Sequence, residues 1–287
     1  MSLSLNNLTF IIVTFKSEHI IHECINSLPI DSNIIVVENS MDEKFKNNLE
    51  KQYPKIEVYV QENMGMGSAN NKGIKLCKTD YAFVINPDVK FESNAIDEII
   101  EFTKKKKDYA ILAPISDDIN YPNYTIKNKT LIDSELDYLD VDSVDGFAML
   151  LNKRMFKEDF YFDENFFLYL ENDDLCLRKK NENKKIYVIK KAKINHLGGK
   201  SPSSFYAKEI EYSRNWHWMW SKFYFNKKHF GYLNAFTKSL SILFFSVIKF
   251  FYYSMIKNKH KQMIYKMRFL GLFNSLLGKK SWYRPNI

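Results

Sequence analysis

The stretch TDYAFVINPDVK, residues 79–90, decides the fold of this chain. Tyr81 to Asn86 are almost entirely apolar, and a short uninterrupted run of this kind is typical of a strand buried on both faces of a parallel sheet. Pro87 ends the strand, because proline has no N–H to donate to a neighbouring strand. Asp88 therefore follows the carboxyl end of a central strand, where open α/β sheets bind ligands. Its carboxylate can hold a divalent cation or, alternatively, only cap a polar loop.

Strands and helices alternate on either side of this stretch. Short apolar runs predict further strands at residues 8–14, 33–37, 56–60 and 109–113, with helices between them. The alternation indicates βαβ units, and hence an α/β fold with a mostly parallel central sheet flanked by helices. Right-handed crossovers place the ends of the first, second and fourth strands on one rim. The residues expected around that rim are Thr14, Glu38, the loop at 63–73 and Asp88.

Charge is distributed unevenly along the 287 residues. Glu211 is the last acidic residue, and 14 of the 42 lysines and arginines follow it. Residues 1–211 then carry 28 basic and 34 acidic side chains. We therefore expect an acidic body over 1–211 and a basic, aromatic-rich helical tail over 212–287, whose partner is negatively charged.

The cysteines and the N-terminus indicate the compartment. Cys24, Cys77 and Cys176 are widely spaced, so neither a disulfide framework nor a zinc cluster is expected, and a reducing compartment fits. The chain opens without a charged segment followed by an apolar one, so we expect no signal peptide.

Residues 62–73, ENMGMGSANNKG, form a loop of small and polar residues that opens a helix. Gly65 and Gly67 lack the G-x-G-x-x-G spacing of a dinucleotide fingerprint. A small-residue loop nevertheless lets a base or ribose approach the backbone, and its N–H groups can meet anionic oxygens. An ordinary strand-to-helix turn is the alternative.

Three segments together resemble the nucleotide-binding half of family 2 glycosyltransferases of the GT-A fold, and most of all their bacterial rhamnosyltransferase-like branch. They are VVENS at 36–40, NMGMGSANNKG at 63–73 and NPD at 86–88. The resemblance implies that Glu38 recognises the nucleoside and that the loop packs on the ribose and base. It also implies that the NPD turn, in place of the usual Asp-x-Asp, holds Mg²⁺ or Mn²⁺ on the donor diphosphate through Asp88.

Residues 114–140 are polar and irregular, which predicts a surface loop or lid. The next segment, VDSVDGFAMLL at 141–151, predicts a strand with a turn at Asp145-Gly146. The resemblance places this region below the acceptor, so Asp145 and Gly146 are candidate acceptor contacts. A plain turn is the alternative.

An acidic segment follows an aromatic block in FFLYLENDDLCLR, residues 166–178. If it is helical, Glu171, Asp174 and Arg178 share one face. A salt-bridged surface helix is one interpretation; a carboxylate at the edge of an apolar cleft, with a raised pKa suited to a base, is the other. The segment resembles the family's Glu-Asp-x-Asp-Leu-x-x-Arg element, which carries the catalytic base. Because Asn172 cannot take a proton, we assign Glu171 as the base, and Asp174 as the reserve or as an orienting group with Arg178.

The segment NHLGGKS, residues 195–201, follows a short strand predicted at 186–189. A neutral imidazole in such a loop can ligate a metal, and the glycines let backbone N–H groups reach phosphate. The resemblance implies that His196 is a ligand of the same cation as Asp88. The complete nucleotide-sugar site is then expected to comprise Thr14, Glu38, Asn63, Gly65, Asn71, Asn86, Lys200 and Ser201.

The tail contains an apolar stretch, residues 232–256, that Lys238 and Lys249 interrupt. The uncharged run between them, 239–248, is shorter than the roughly 20 residues that a membrane span needs. The two lysines share a helix face, which predicts an amphipathic helix with a basic stripe lying on an anionic membrane. An appendage packed on the body, or a homodimer contact, is the alternative. The closing segment GKKSWYRP, residues 278–285, also resembles the family's tail.

Taken together, the motifs predict an inverting, metal-dependent glycosyltransferase of cell-surface polysaccharide synthesis. Residues 1–113 would be its nucleotide-binding half and 114–211 its acceptor and catalytic half. The expected donor is a nucleoside diphosphate sugar, and the resemblance to the rhamnosyltransferase-like branch suggests dTDP-rhamnose. The expected acceptor is a glycan or a lipid-linked glycan. We expect a cytoplasmic protein held peripherally on the inner face of the bacterial membrane, with no nucleic-acid partner. The alternatives are a non-catalytic nucleotide-sugar-binding or scaffold protein of the same fold and, less favoured, a nucleotidyltransferase.

Overall fold

A computed structural model describes residues 2–118, 121–127, 135–157, 160–196 and 206–285. The chain packs as two compact units. The first comprises residues 1–163 and 172–202, and the second comprises residues 164–171 and 203–287.

The first unit holds the strands and the shorter helices. Its strands are β1 Leu8–Thr14, β2 Asn33–Glu38, β3 Ile56–Val60, β4 Tyr81–Ile85, β5 Val89–Phe91, β6 Tyr109–Ser116, β7 Tyr124–Thr125, β8 Tyr138–Asp140, β9 Ser143–Val144, β10 Ala148–Asn152 and β11 Lys185–His196. Its helices are α1 Ile21–Asn26, α2 Glu43–Gln52, α3 Met66–Leu76, α4 Ala95–Lys105 and α5 Glu171–Asn181, of which Glu171 packs with the second unit.

Nine of these strands form one sheet, with the order β3-β2-β1-β4-β10-β6-β11-β5 and with β8 paired to β11. Strands β1, β2, β3 and β4 are parallel to one another. The predicted α/β fold, a central sheet flanked by helices, is thereby confirmed. The rest of the sheet is mixed, because β10 runs antiparallel between β4 and β6, while β11 is parallel to β6 and antiparallel to β5 and β8.

Both faces of the sheet are buried, as the apolar runs predict. Along β1, Phe10 and Ile12 enter one core while Ile11 and Val13 enter the other. Helix α3 lies directly on this strand, since a Cβ added at Gly73 would overlap the Ile11 side chain. The segment expected as a loop at 63–73 is helical from Met66 onward, and this helix is held close to the centre of the sheet.

Strand β11 is longer than the sequence predicts. We expected a short strand at 186–189 followed by a loop, but β11 continues for 12 residues to His196. Three lysines at 190, 191 and 193 break the apolar run, and the strand continues past them by pairing with β5. In that pairing His196 lies opposite Val89, the neighbour of Asp88.

The second unit contains three long helices, α6 Ala207–Phe230, α7 Tyr232–Met255 and α8 Lys259–Leu276. Gly231 turns the chain between α6 and α7 with φ +85°, a conformation that favours glycine. Helices α6 and α8 cross at Gly271, where an added Cβ would overlap the carbonyl oxygen of Trp216. Trp216 is fully buried at this crossing.

Helix α7 is continuous through the two lysines that we expected to interrupt a membrane span. Among the described residues it is the one helix that is long and apolar enough to cross a membrane, by length and composition alone. Lys238 donates to Asn226 Oδ1 at 3.1 Å, and the Lys249 ammonium lies 5.1 Å from the Tyr265 ring. Both lysines are exposed and share one side of α7, so the basic stripe on an anionic membrane stays a prediction.

Candidate functional site

The ends of β1 and β2 hold a buried carboxylate. Thr14 and Glu38 are opposite each other in the strand register, and Thr14 Oγ1 donates to Glu38 Oε2 at 2.5 Å. The Ser40 amide donates to the other oxygen at 2.8 Å, and the Ser40 hydroxyl donates to it as well. Burial raises the pKa of Glu38, while these hydrogen bonds act in the opposite direction. The side chain is thus fixed at the carboxyl edge of the sheet.

The small-residue loop is shaped by Asn63 and Gly65. Asn63 Oδ1 accepts from the Gly65 amide at 3.2 Å and from Asn39 Nδ2 at 3.0 Å. Gly65 has φ +102° and immediately precedes α3, so a residue with a Cβ would be strained there. No side chain among the described residues caps this helix start. Its first N–H groups point out of the helix and are suited to an anionic ligand.

Asn71 contacts the backbone of its own unit. Its Nδ2 donates to the Phe162 carbonyl at 2.8 Å, and its Oδ1 accepts from the Phe162 amide at 3.0 Å. The buried amide thereby pairs with Phe162 much as a neighbouring strand would. This gives Asn71 a structural role that the sequence did not suggest, and its contact with the nucleotide stays a prediction.

Asp88 and His196 meet at the carboxyl side of β4. The Asn86 amide donates to the Phe147 carbonyl at 2.9 Å and the Val89 amide to the Asn86 carbonyl at 3.2 Å, which turns the chain at Pro87. Asp88 is 4% exposed, and its Oδ1 has no hydrogen-bond partner among the described residues. His196 Nε2 lies 3.4 Å from that oxygen. The Phe147 ring stacks on the imidazole at 3.9 Å between centroids.

These two side chains fit a divalent cation. A buried carboxylate oxygen without a hydrogen bond is costly unless a positive charge or a donor meets it. Among the described residues no group of three His, Cys, Asp or Glu side chains could hold a metal ion. A site with two protein ligands therefore suits Mg²⁺ or Mn²⁺ with phosphate and water oxygens as the remaining ligands.

Two further carboxylates lie in the same unit. Burial raises the pKa of Asp145 to about 6; the charge of Asp173 raises it further and His196 opposes the shift. Burial also raises the pKa of Asp173, which hydrogen-bonds Ser143. Asp145 and Asp173 are therefore two buried carboxylates with raised pKa values near the expected acceptor contact.

The turn that carries Asp145 packs against the start of α5. Asn172 Nδ2 donates to the Val144 carbonyl at 2.9 Å. A Cβ added at Gly146 would come within 3.3 Å of Asn172 Cβ. Asn172, which stands where the family has its second acid, therefore connects the Asp145-Gly146 turn to α5.

Asp174 and Arg178 form an internal ion pair. Arg178 Nε donates to Asp174 Oδ2 at 2.9 Å, and Asp174 is fully buried. Arg178 also donates to the Tyr161 carbonyl and lies 4.5 Å from the Phe160 ring. Of the two roles that we considered for Asp174, this geometry favours the orienting group over the base.

A family model, "Glycosyl transferase family 2", matches residues 9–174, more than half of the chain. This chain belongs to glycosyl transferase family 2. The match covers the strand ends with Thr14 and Glu38, the loop, the NPD turn and the acidic start of α5. The resemblance inferred from the motifs is thereby confirmed.

Two relatives of this family 2 chain are distant in sequence. The low-salt glycan biosynthesis hexosyltransferase Agl10 of Haloferax volcanii is 24% identical over 198 residues, which are 62% of this chain and 63% of that protein. The rhamnosyltransferase WbbL of Escherichia coli is 24% identical over 236 residues, 72% of this chain and 88% of that protein. The chain thus spans less than two thirds of the archaeal relative.

Solved structures show the same fold. The structure of S. aureus TarS 1-349 has a TM-score of 0.53 at 14% identity and covers 97% of this chain and 93% of its own. The structure of GalNAc-T7 with UDP, GalNAc and Mn²⁺ has a TM-score of 0.55 at 12% identity, over 66% of this chain and 43% of that one. At these identities the likeness establishes the fold.

The structure places the predicted metal, acceptor and catalytic residues of this family 2 protein differently. The structure brings Asp88, His196 and Asp145 together in the first unit. Glu171, 8% exposed, begins α5 and packs with the second unit. Lys200 and Ser201 lie outside the described residues.

Asp173 is the residue that sequence reasoning missed. The sequence argument considered only residues on one helix face, namely Glu171, Asp174 and Arg178. It therefore left out Asp173, which lies between Glu171 and Asp174 in the chain. The signal was present in the sequence, because Asp173 is the first carboxylate after the substituted Asn172.

Proposed function

We propose that this family 2 protein is an inverting, metal-dependent glycosyltransferase that moves a sugar from a nucleoside diphosphate sugar to a glycan or lipid-linked acceptor. The observation that supports this most is the approach of His196 Nε2 to within 3.4 Å of the buried, otherwise unpaired Oδ1 of Asp88. If the two side chains only held neighbouring segments together, they would not need to lie at the carboxyl edge of a parallel sheet, which is where ligands bind.

In this proposal Asp88 and His196 hold Mg²⁺ or Mn²⁺ against the donor diphosphate. The cation, when bound, neutralises the charge that develops on the leaving diphosphate. Glu38, fixed by Thr14 and Ser40, recognises the nucleoside. Asn63 and Gly65 of the loop, Asn71 of α3 and Asn86 of the NPD turn complete the nucleotide-sugar site. Lys200 and Ser201 contact the diphosphate.

Glu171 acts as the general base. It takes the proton of an acceptor hydroxyl as the oxygen attacks the anomeric carbon, and the bond from that carbon to the diphosphate oxygen breaks on the opposite face. The products are an inverted glycoside and a nucleoside diphosphate. Asp145 and Gly146 contact the acceptor, and the Asp174–Arg178 pair orients the helix that starts at the base.

The relatives suggest the class of sugar. One is named as a hexosyltransferase and the other as a rhamnosyltransferase, and the first acts in glycan biosynthesis. We therefore propose a hexose or deoxyhexose donor, with dTDP-rhamnose as the first to test, and a role in cell-surface polysaccharide synthesis.

The test is metal-dependent release of nucleoside diphosphate by the purified protein, with dTDP-rhamnose and Mn²⁺. Asp88→Ala should abolish release, whereas Asp80→Ala is a matched control that removes a half-buried carboxylate paired with Arg154. Unchanged turnover by Asp88→Ala would refute the metal role. No release by the wild type from dTDP-rhamnose, UDP-glucose or UDP-N-acetylgalactosamine would favour the second candidate, a non-catalytic binder, which Asn172 in place of an acid supports.

We further propose that residues 1–211 are the catalytic domain and that the tail, 212–287, binds the anionic inner face of the cell membrane. Helix α7 has small buried residues, Ala235, Ser239 and Ser246, on its packed side. At 100° per residue, seven of its exposed apolar side chains lie within an arc of about 100° on the opposite side. They are Leu233, Leu240, Phe244, Val247, Ile248, Phe251 and Met255; the exposed Phe245 and Tyr252 widen the arc to about 160°, and Tyr232 lies outside it.

The neighbouring helix favours an orientation in the membrane plane. Helix α8 packs along α7, with Lys261 5.4 Å from the Tyr253 ring, and it also carries Lys266 and Arg268. If α7 crossed the bilayer, these basic side chains would be drawn to membrane depth, which is costly. In the plane, the apolar face enters the interface while the basic tail, which has no acidic residue, meets anionic headgroups.

Vesicle flotation tests the membrane proposal. With equimolar phosphatidylcholine and phosphatidylglycerol, the protein should float, and replacing Phe244 and Phe251 together by serine should weaken binding more than about tenfold. Ile30→Ser, which changes an exposed isoleucine of the first unit, is the matched control. Equal flotation of both variants, or equal binding to vesicles with and without phosphatidylglycerol, would contradict the proposal.

A further inference from the structure

The segment before Glu171 has an unusual backbone. Tyr169 and Leu170 have φ angles of +71° and +66°, so two consecutive residues with side chains adopt the left-handed region. Each such residue costs roughly 1–2 kcal/mol, and a conformation of this kind persists only where surrounding contacts impose it. The residues that follow directly are Glu171 and the rest of α5.

Contacts within the second unit hold this segment. Ser221 Oγ donates to the Leu168 carbonyl at 2.8 Å. The Tyr169 ring meets the Trp218 ring edge-on, with 5.4 Å between centroids. Both partners are on α6, so this helix is the platform on which the segment is fixed.

Phe167 is enclosed on both faces. The His217 imidazole stacks on it with 4.4 Å between centroids, and the Arg284 guanidinium lies 3.7 Å from its centroid. Arg284 itself donates to the carbonyls of Ser281 and Tyr283, at 2.9 Å each. A residue three positions from the end of the chain thus packs on the segment that leads into Glu171.

His217 connects the C-terminal segment to α6. Its Nε2 lies 2.8 Å from the Tyr283 carbonyl, which can only accept, so Nε2 carries the proton and Nδ1 accepts from Ser281 Oγ at 2.9 Å. Burial lowers the pKa of His217 to about 3, so the imidazole stays neutral at physiological pH. Ser281 and Tyr283 of the closing motif are therefore held on α6 through His217.

We propose that Ser281–Arg284 positions the catalytic base: with Phe167 held between Arg284 and His217, the strained 166–170 segment can adopt only the conformation that orients the Glu171 carboxylate. Arg284 is then a positioning residue, which acts through Glu171 and touches no substrate. This inference rests on the proposed role of Glu171 and explains what the C-terminal motif is for.

A double-mutant cycle tests it on the full chain, with nucleoside diphosphate release from dTDP-rhamnose and Mn²⁺ as the assay. Arg284→Ala should lower kcat roughly 10- to 100-fold with KM for the donor changed less than about threefold, because binding is left intact. In the Glu171→Gln background the same change should cause no further loss, since the base it positions is already absent. Millimolar guanidinium, or Arg284→Lys, should restore part of kcat in the single variant.

Each result is decisive. Equal losses in both backgrounds would mean a merely structural role, and an unchanged kcat would mean that Arg284 positions nothing; either overturns the inference while leaving the proposed function in place. A fully active Glu171→Gln enzyme would overturn the base assignment and this inference with it, and an inactive wild type would overturn the proposed function. Arg154→Ala, which removes a guanidinium paired with Asp80 in the first unit, is the matched control and should keep the wild-type kcat.

Discussion

Asp145 should be a residue whose removal stabilises the protein. Burial raises its pKa from 3.8 to about 6, so the folded state is penalised for the ionised carboxylate at neutral pH. A shift of about two units corresponds to at most about 3 kcal/mol, because each unit is 1.36 kcal/mol. Asparagine has the same shape and no charge. Asp145→Asn should therefore increase the free energy of unfolding at pH 7.5 by roughly 1–3 kcal/mol, a few degrees in Tm.

The sign of the pH dependence follows from the same shift. Between about pH 4 and 6 the unfolded chain binds fewer protons at Asp145 than the folded one does, so wild-type stability falls as pH rises through this range. The advantage of Asp145→Asn should thus be small near pH 4 and full above pH 6. Thermal melts at both pH values, in EDTA so that no cation compensates the carboxylate, measure it.

Asp140→Asn is a control of opposite sign. Burial tends to raise the pKa of Asp140, but hydrogen bonds from Lys185 and Lys180 lower it overall. Its stabilising effect is therefore present above the ordinary carboxyl pKa and lost in acid, so this variant should be less stable than wild type at pH 7.5. The reasoning is refuted if Asp145→Asn is no more stable than wild type at pH 7.5, or if its advantage does not change with pH.

Three other substitutions have clear expected outcomes. Gly271→Ala should lower the unfolding free energy by roughly 1–3 kcal/mol or more, because the added methyl group overpacks against α6. Gly278→Ala has open space around it but a φ of +72°, so it should lower the unfolding free energy by only about 1 kcal/mol. Denaturant titration of both variants measures the difference. Asn71→Ala leaves both backbone groups of Phe162 without their partner, so it should cost roughly 2–4 kcal/mol in the same titration. Glu38→Ala should weaken nucleotide binding by at least about tenfold in calorimetry, the loss of one charge-assisted hydrogen bond; undiminished affinity would remove Glu38 from the nucleoside site.

Much of the first unit could be predicted from short-range patterns. The apolar run at 81–85 is a strand with every side chain buried, as its uninterrupted character indicates. Asp88 follows the turn that Pro87 begins, and Thr14 and Glu38 are opposite each other at the ends of parallel strands. These features depend on residues close together in the chain, or on rules of α/β topology that hold for most sheets.

What could not be predicted depends on contacts between distant segments. The three lysines at 190–193 conceal the second half of β11, because its pairing with β5 and with the end of β6 makes it a strand. Spacing also placed Lys238 and Lys249 on one face, yet it could not show that the two lysines contact Asn226 and Tyr265 on neighbouring helices. Asp173 was missed because its raised pKa comes from burial, which no local pattern encodes.

The central claim is that Asp88 and His196 hold one cation. Pulsed electron paramagnetic resonance of Mn²⁺ bound with dTDP tests it most directly, because a coordinating imidazole couples its ¹⁴N nucleus to the metal. The wild type should show this nitrogen coupling, His196→Gln should lose it, and Asp88→Asn should bind Mn²⁺ too weakly to give the signal. A bound Mn²⁺ without nitrogen coupling, or a coupling that survives His196→Gln, would contradict the account.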